Sequence, residues 1–302
     1  MTAPATPART TARGGIAFAP ASPGKRLVGR VLRLLAQLFL LLWALAVGVP
    51  MVWTLYSSLK TDVEILTEPW ALPASPQWDN FRRAWVTAEF GNYFLNTVIV
   101  CAVGMTITLV LSSLVAFVLS KFDFRGRSAV RIMFLIVMTF PGVLALMPLW
   151  FIMSNLGLLN SLWGLALVTG VHGMPFSVFF LVAFFQAIPG ELMDAARVDG
   201  CSYWTTFTRV MLPLARPGLI SVGIFQFMSM WNSYILPLIM LSDKDKYVLG
   251  LGIARLSVDQ GYAGDWSALF AGIVIAMLPV LVVYIVFQRR IQAGMIAGAV
   301  KS

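Results

Sequence analysis

The chain has 302 residues, of which 59% are hydrophobic and only 12% charged, with a formal net charge of +9. Its mean hydropathy is +0.83. Soluble globular proteins carry about 25% charged residues, so a soluble domain is excluded and an all-α polytopic membrane protein is indicated. The positive charge follows membrane topology and gives no reason to expect nucleic acid as a partner.

Residues 1–24 are rich in Ala, Thr, Pro, Arg and Gly, a composition that buries little and reads as a disordered cytoplasmic tail. The remainder, 25–302, reads as one six-span domain. Six apolar runs reach the roughly 20 helical residues that a bilayer needs. They lie near 34–56, 95–119, 132–153, 162–185, 219–241 and 267–287. Each is helical, because backbone amides in lipid find partners only within a helix or in a closed barrel, and alternating strands are absent. The first run is too long and starts too late for a cleavable signal. It reads as an uncleaved anchor, with Arg26, Arg30 and Arg33 reaching to the inner headgroups. Trp70, Trp78, Trp85 and Tyr93 follow in the first outer loop, where aromatic rings suit the membrane interface. Pro141 and Pro148 in the third run, and His172-Gly173-Met174-Pro175 in the fourth, mark kinks, since proline removes a backbone donor. His172 has no second ligand candidate nearby and reads as a packing or hydrogen-bonding residue. Cys101 and Cys201 lie at different depths and read as reduced space-fillers.

The 22 Lys and Arg fall as six before the first run, then three, four, none, three and three in successive loops, and three after the last. With both termini inside, 16 face the cytoplasm and 6 face outward, as the positive-inside rule requires. No Asp, Glu, Lys or Arg lies within the runs. Ion-coupled carriers place ionisable groups along their pathway, and a membrane enzyme needs an acid–base pair or several metal ligands. Neither is present, so transport by this chain would draw its energy from another subunit.

A polar segment, 187–218, separates the fourth and fifth runs. Ile188-Pro189-Gly190-Glu191 opens it; Pro suits the first turn of a helix and Glu191 complements the dipole. A short helix over 190–199 is expected, with Gly200 as its left-handed cap. Ala195 and Ala196 remove side-chain bulk so that another surface can approach the backbone, and Asp194, Arg197 and Asp199 offer polar contacts around that patch. A second helix over 202–212 is expected to end at Pro213. The segment reads either as a docking helix for another protein or as an ordinary amphipathic loop helix.

In the fifth run, Gln226, Ser229, Trp231, Asn232, Ser233 and Tyr234 give an unusual polar density, and Gln226, Ser229 and Ser233 share a helix face. Sugar sites combine apolar walls with a few placed polar groups. Ser, Asn and Gln also bond spans to one another. Both readings stand for this face.

The order Asp194-Ala195-Ala196, three residues, Gly200, nine residues, Val210, one residue, Leu212-Pro213 resembles the Glu-Ala-Ala loop of ABC importer permeases. It departs only in Asp194 for Glu and Val210 for Ile. From about residue 30 onward the chain is similar to the carbohydrate-uptake class, and within it to the maltose-transporter-type subunit. Ser57-Ser58-Leu59-Lys60 follows the first span, Phe94-Leu95-Asn96-Thr97 opens the second and Leu156-Gly157-Leu158-Leu159-Asn160-Ser161 precedes the fourth. Trp231-Asn232-Ser233-Tyr234 marks the fifth, and Gly298-Ala299-Val300-Lys301 lies at the end. This resemblance implies the type I importer fold and a multi-pass place in the bacterial inner membrane, in contact with lipid. It implies a homologous second permease, two ATP-binding subunits and an extracytoplasmic solute-binding protein, which some of the outer tryptophans would face. ATP and Mg would be bound by the partners, since no Walker-type phosphate loop occurs here, and this chain would carry no catalytic or metal site. Glu191, Asp194, Ala195, Ala196, Arg197, Asp199, Gly200, Leu212 and Pro213 would form the ATPase-coupling surface. Arg289, Arg290 and Lys301 would lie near the ATPase pair, or simply be solvated beside lipid. The solute would be a sugar or oligosaccharide. Alternatives are a polyol or glycerol phosphate on the same architecture, or an ion-coupled secondary carrier.

Overall fold

The structure, a computed structural model, describes the backbone of residues 23–299 and the side chains of 29–258 and 264–288. The expected tail falls outside the described residues except for Pro23 and Gly24, which already belong to the first helix. The side chains of Arg26, Arg289, Arg290 and Lys301 also fall outside them. The chain divides into two compact units, 1–52 and 53–302. The first holds most of α1 (Pro23–Ser57), whose stretch Gly29–Ser57 is long and apolar enough to cross a membrane.

The second unit begins with the outer loop and its short helices α2 (Asp62–Thr67) and α3 (Asp79–Arg82). Thr61 and Glu64 cap α2 reciprocally, which satisfies two donors a helix start leaves orphaned. Lys60 is fully buried; its Nζ donates to the carbonyls of Glu68 at 2.8 Å and Pro69 at 3.2 Å and lies over the Tyr56 ring. Asn80 donates to the Ser58 and Lys60 carbonyls, so the Ser57–Lys60 motif closes the loop upon itself. Trp70, Trp78 and Trp85 are exposed, whereas Tyr93 is buried in the core beside Glu89 and is not an interfacial anchor.

An unbroken span, α4 (Phe90–Lys121), follows. The third span is two helices, α5 (Arg127–Thr139) and α6 (Leu146–Asn155), bent by 98°. This exceeds the expected kink. Phe140 is extended before Pro141, as a residue preceding proline prefers. Pro148 causes no kink, because it sits in the first turn of α6 where its missing donor is harmless. The fourth span, α7 (Leu162–His172) and α8 (Met174–Ala187), bends by 43° at Gly173, where a kink was expected. Three short helices, α9 (Glu191–Val198), α10 (Tyr203–Thr206) and α11 (Leu212–Leu214), make the inner segment.

The fifth span, α12 (Arg216–Trp231), stops ten residues short of the expected 241 and restarts as α13 (Ile235–Met240). In a continuous helix Pro237 would strike the Ser233 carbonyl and offer it no donor. That carbonyl instead abuts Gly250, where a Cβ would come within 2.6 Å of it. Gly250 belongs to α14 (Leu249–Ala263), an apolar helix not anticipated from the sequence. The last span is the apolar part of α15 (Trp266–Ala299). Its start is tied to the outer loop: Asp62 accepts from the backbone and hydroxyl of Ser267, and Arg83 donates to Asp265 at 2.6 Å.

Around α4 the spans pack through small residues, the usual device where lipid provides no hydrophobic drive between helices. A Cβ on Gly170 would lie 2.9 Å from the Gly104 carbonyl, and the Thr108 hydroxyl is shared between the Gly170 and Gly104 carbonyls. On the outer side, Asn160 in a left-handed conformation (φ 53°) accepts from the backbones of Ser242 and Asp243 and donates to the Asp243 carboxylate at 2.6 Å.

Lys246 and then Asn160 hold the Asp243 carboxyl below its ordinary value. A depressed carboxylate contributes stability above its unfolded pKa and loses it as pH falls through the folded value. Thermal unfolding of the purified protein should therefore weaken below about pH 4 more steeply in the wild type than in Asp243→Asn.

Candidate functional site

The inner segment is built to present one face. Ile188 is extended before Pro189, so Pro189 precedes α9 rather than sitting in its first turn, and Lys121 Nζ donates to the Ile188 carbonyl at 2.5 Å. Helix α9 ends in a Schellman motif: Cys201 N–H bonds the Ala196 carbonyl, Gly200 N–H bonds the Arg197 carbonyl, and Gly200 has φ 74°. Only a residue without a Cβ takes that conformation at little cost. Ser202 caps α10. The second helix does not stop at Pro213. A π turn over Phe207–Met211 lets Leu212 N–H reach the Phe207 carbonyl, and this widened turn carries the helix past the proline to Leu214. At Ala215 the chain bends by 74° into α12.

The buried side of this segment is aromatic. Phe117 of α4 lies 5.1 Å from Phe207 with the rings tilted by 40° and meets Phe185 of α8 edge-on at 5.9 Å, and Met193, Met211 and Val222 belong to the same cluster. Leu212 packs at its edge, and Pro213 is half-buried. Ala196 is 6% exposed, so it lies against its own chain and is not open to a partner as expected. Its small size admits close packing of α9 on the following helix. Arg197 donates to the Tyr203 hydroxyl at 3.0 Å, its guanidinium 5.1 Å from that ring, and Asp194 stands 4.0 Å away. It braces α9 against α10. Glu191, Asp194, Ala195, Asp199 and Gly200 remain exposed. Val198, which the sequence reading passed over, is 88% exposed.

A second feature forms where the helix breaks meet. A Cβ on Gly142, just beyond the α5 break, would lie 3.6 Å from His172, and one on Gly173 would lie 2.4 Å from Gln226 Oε1. Beside them is a cavity of about 530 Å³, within the ~300–1,000 Å³ range of small-ligand sites. Its polar lining is Thr169, His172, Gln226, Ser229, Ser233 and Tyr234, and Phe176 and Phe225 are prominent among its apolar walls. Gln226, Ser229, Ser233 and Tyr234 thus meet as one group. Trp231 and Asn232 do not. The Trp231 ring is buried and donates to the Ala276 carbonyl at 3.0 Å, while Asn232 donates back to Met228. Five and six residues beyond Gln226, they have rotated off its face.

Gln226 answers to both readings of its face. Its Nε2 donates to the Gly173 carbonyl and to Ser177 Oγ, both at 3.0 Å, so it joins two spans while it lines the cavity. His172 and Phe176 were not singled out for this site, although the Gly-Met-Pro kink beside them was the available signal. A mid-span break opposite a polar helix face is a place where side chains from several spans converge.

Gly173→Ala would displace Gln226, and Gln226→Leu would remove the same bonds. Each should cost ~1–3 kcal/mol of stability, and the double variant should be little worse than either alone. Thermal unfolding in detergent measures this; additive losses would show that the two residues act separately.

Fold and site together define a multi-span membrane component with an inner segment braced from behind. The family model described as "binding-protein-dependent transport system inner membrane component" matches residues 108–297, and the chain belongs to that family. It is 43% identical, over 87% of both chains, to the diacetylchitobiose uptake system permease protein NgcG of Streptomyces coelicolor. It is 33% identical to the sulfoquinovosyl glycerol transport system permease protein SmoH of Agrobacterium fabrum, over 90% of this chain and 94% of that one. The fold is that of a chain in a bacterial ABC transporter involved in alginate import, with a TM-score of 0.78 at 24% identity, covering 90% of this chain and 99% of that one.

Proposed function

We propose that this chain is the permease subunit of an ATP-driven, binding-protein-dependent importer for a sugar or oligosaccharide. It is a transport subunit and not an enzyme. The observation that carries the reading is the apolar surface left open on the inner segment. Val198 is 88% exposed, Trp204 63%, Tyr203 57% and Leu214 49%, while the opposite side of the segment is anchored in the phenylalanine cluster. Exposed apolar side chains on a firmly held element mark a protein or membrane contact, and the exposed Glu191, Asp194 and Asp199 beside them favour a protein.

The partner that fits is an ATP-binding subunit, which would also hold ATP and Mg. Glu191, Asp194, Ala195, Asp199 and Gly200 supply the polar and small part of that contact, and Val198 its apolar centre. Ala196, Arg197, Leu212 and Pro213 serve it from within, by holding the segment's shape. The full assembly would contain a homologous second permease, two ATP-binding subunits and an extracytoplasmic solute-binding protein, in a bacterial inner membrane with both termini of this chain cytoplasmic. Closure of the ATP-binding pair would move the inner segment together with the inner ends of α4, α8 and α12, and so open the pathway outward. Relatives that import oligosaccharides favour a sugar over a polyol or glycerol phosphate.

Ala195→Trp should abolish ATP-driven uptake into proteoliposomes while leaving the subunit folded, because residue 195 faces outward. Gly200→Asp should do the same by way of its backbone, since a side chain at φ 74° costs ~1–2 kcal/mol and shifts the cap. A proton ionophore should leave wild-type uptake unchanged. Normal uptake by both variants would refute the docking assignment, and uptake that collapses with the proton gradient but persists without ATP would favour an ion-coupled carrier.

A further inference from the structure

We infer that Lys121 is a positioning residue for transport: its ammonium sets the angle of the inner segment against α4, and so how far movement of that segment reaches the spans. This rests on the importer reading and deepens it by naming a residue that governs the coupling. Nζ of Lys121 donates to the Ile188 carbonyl at 2.5 Å, where α8 ends and the chain enters α9. Among the described residues no backbone amide donates to that carbonyl, which lies where a helix end gathers partial negative charge. The next residue, Phe122, meets Tyr203 edge-on at 5.2 Å, and the Tyr203 hydroxyl accepts from Arg197 of α9 at 3.0 Å. Two adjacent residues at the inner end of α4 therefore hold α9 from both sides, Lys121 at its entry and Phe122 by way of α10.

The phenylalanine cluster does not do this alone. Apolar packing is non-directional and holds the segment without fixing its angle, whereas a charged hydrogen bond is short and directional. The base of Lys121 is itself held: Arg127 Nε at 2.9 Å and Arg131 Nη2 at 2.6 Å both donate to the Leu119 carbonyl. From there α4 runs unbroken through 32 residues back to Phe90. Near that outer end Asn96 donates to the Asp245 and Tyr247 carbonyls, and Thr97 accepts from the Leu249 amide. An angle fixed at Lys121 is thus carried along one helix to the outer loop. Among the described residues, the acid whose charge acts on Lys121 is Glu191. It stands on the face assigned to the ATP-binding subunit, so docking there reaches this bond.

The experiment compares wild type, Lys121→Met and Lys121→Arg in the complete complex. Met keeps an aliphatic stem and drops the ammonium, while Arg keeps a charged donor. Spin labels at Val118 on α4 and Leu192 on α9, both exposed, report the angle as a distance distribution by pulsed electron resonance. ATP hydrolysis is measured with and without the solute-binding protein, and the stimulation reports coupling. Lys121→Met should broaden the distribution and cut the stimulation roughly tenfold, the effect of one charged hydrogen bond on a two-state equilibrium. Lys121→Arg should restore a narrow distribution and most of the stimulation. A merely structural role would lower both hydrolysis rates together through lost assembly and leave their ratio alone. Wild-type stimulation in Lys121→Met, a distribution as narrow as the wild type, or a loss that Arg does not restore would overturn the proposal. A wild-type complex indifferent to the binding protein removes the importer reading, and the distances then decide the Lys121 assignment by themselves.

Discussion

The hold of the inner segment on its spans leans on one contact, the packing of Phe207 against Phe117, which in turn meets Phe185. Within the hydrocarbon layer, apolar side chains gain nothing by leaving lipid for one another. Where the chain emerges at the inner face, water is present and apolar burial again drives association. Phe117, at the inner end of α4, and Phe185, at the end of α8, stand at that boundary, and Phe207 with Met211 and Met193 closes over them. The inner segment is thereby fastened to three spans and still turns Val198 and Trp204 outward. Without this contact α9 would be an eight-residue helix, too short to hold its shape in water alone.

The cavity has a different origin. A helix broken inside a membrane frees backbone groups that nothing in lipid can pair. The fourth span breaks at Gly173, whose carbonyl keeps its helical bond from the Ser177 amide and also accepts from the Ser177 hydroxyl and from the Gln226 amide of the next span. The fifth breaks over Asn232–Tyr234, with its Ser233 carbonyl against Gly250. Near these breaks Gln226 ties the fifth span to the fourth. The groups that mend nothing, among them Ser229 and Tyr234, are left facing the space between the breaks.

Much of this was legible in the residues themselves. The six apolar runs correspond to three unbroken helices long enough to cross and three bent helix pairs, because length and hydropathy are the first requirements for crossing. The left-handed Gly200 and the bend at Gly173 follow from local chemistry, since each depends on a glycine or proline whose effect needs no tertiary partner. The 98° bend at Pro141, the end of α12 at Trp231 and helix α14 were not legible. A proline announces that a helix is disturbed but not by how much, and the angle is set by what packs beside it. Ala195 and Ala196 look alike in sequence, yet one faces out and the other in. That difference depends on the direction from which Phe207 and Met211 approach, and the π turn that sets this direction has no local signature.

The claim that the inner segment moves with its spans as one body is open to a direct measurement. Spin labels at Leu192 on α9 and at Phe179 on the exposed side of α8, in the complete complex, report their separation by pulsed electron resonance. Aromatic packing of this kind predicts the same narrow distance distribution with and without ATP, and a broadened one in Phe207→Ala. A wild-type distance that shifts on adding ATP would mean that the segment slides over its own spans, and the lever described here would not exist.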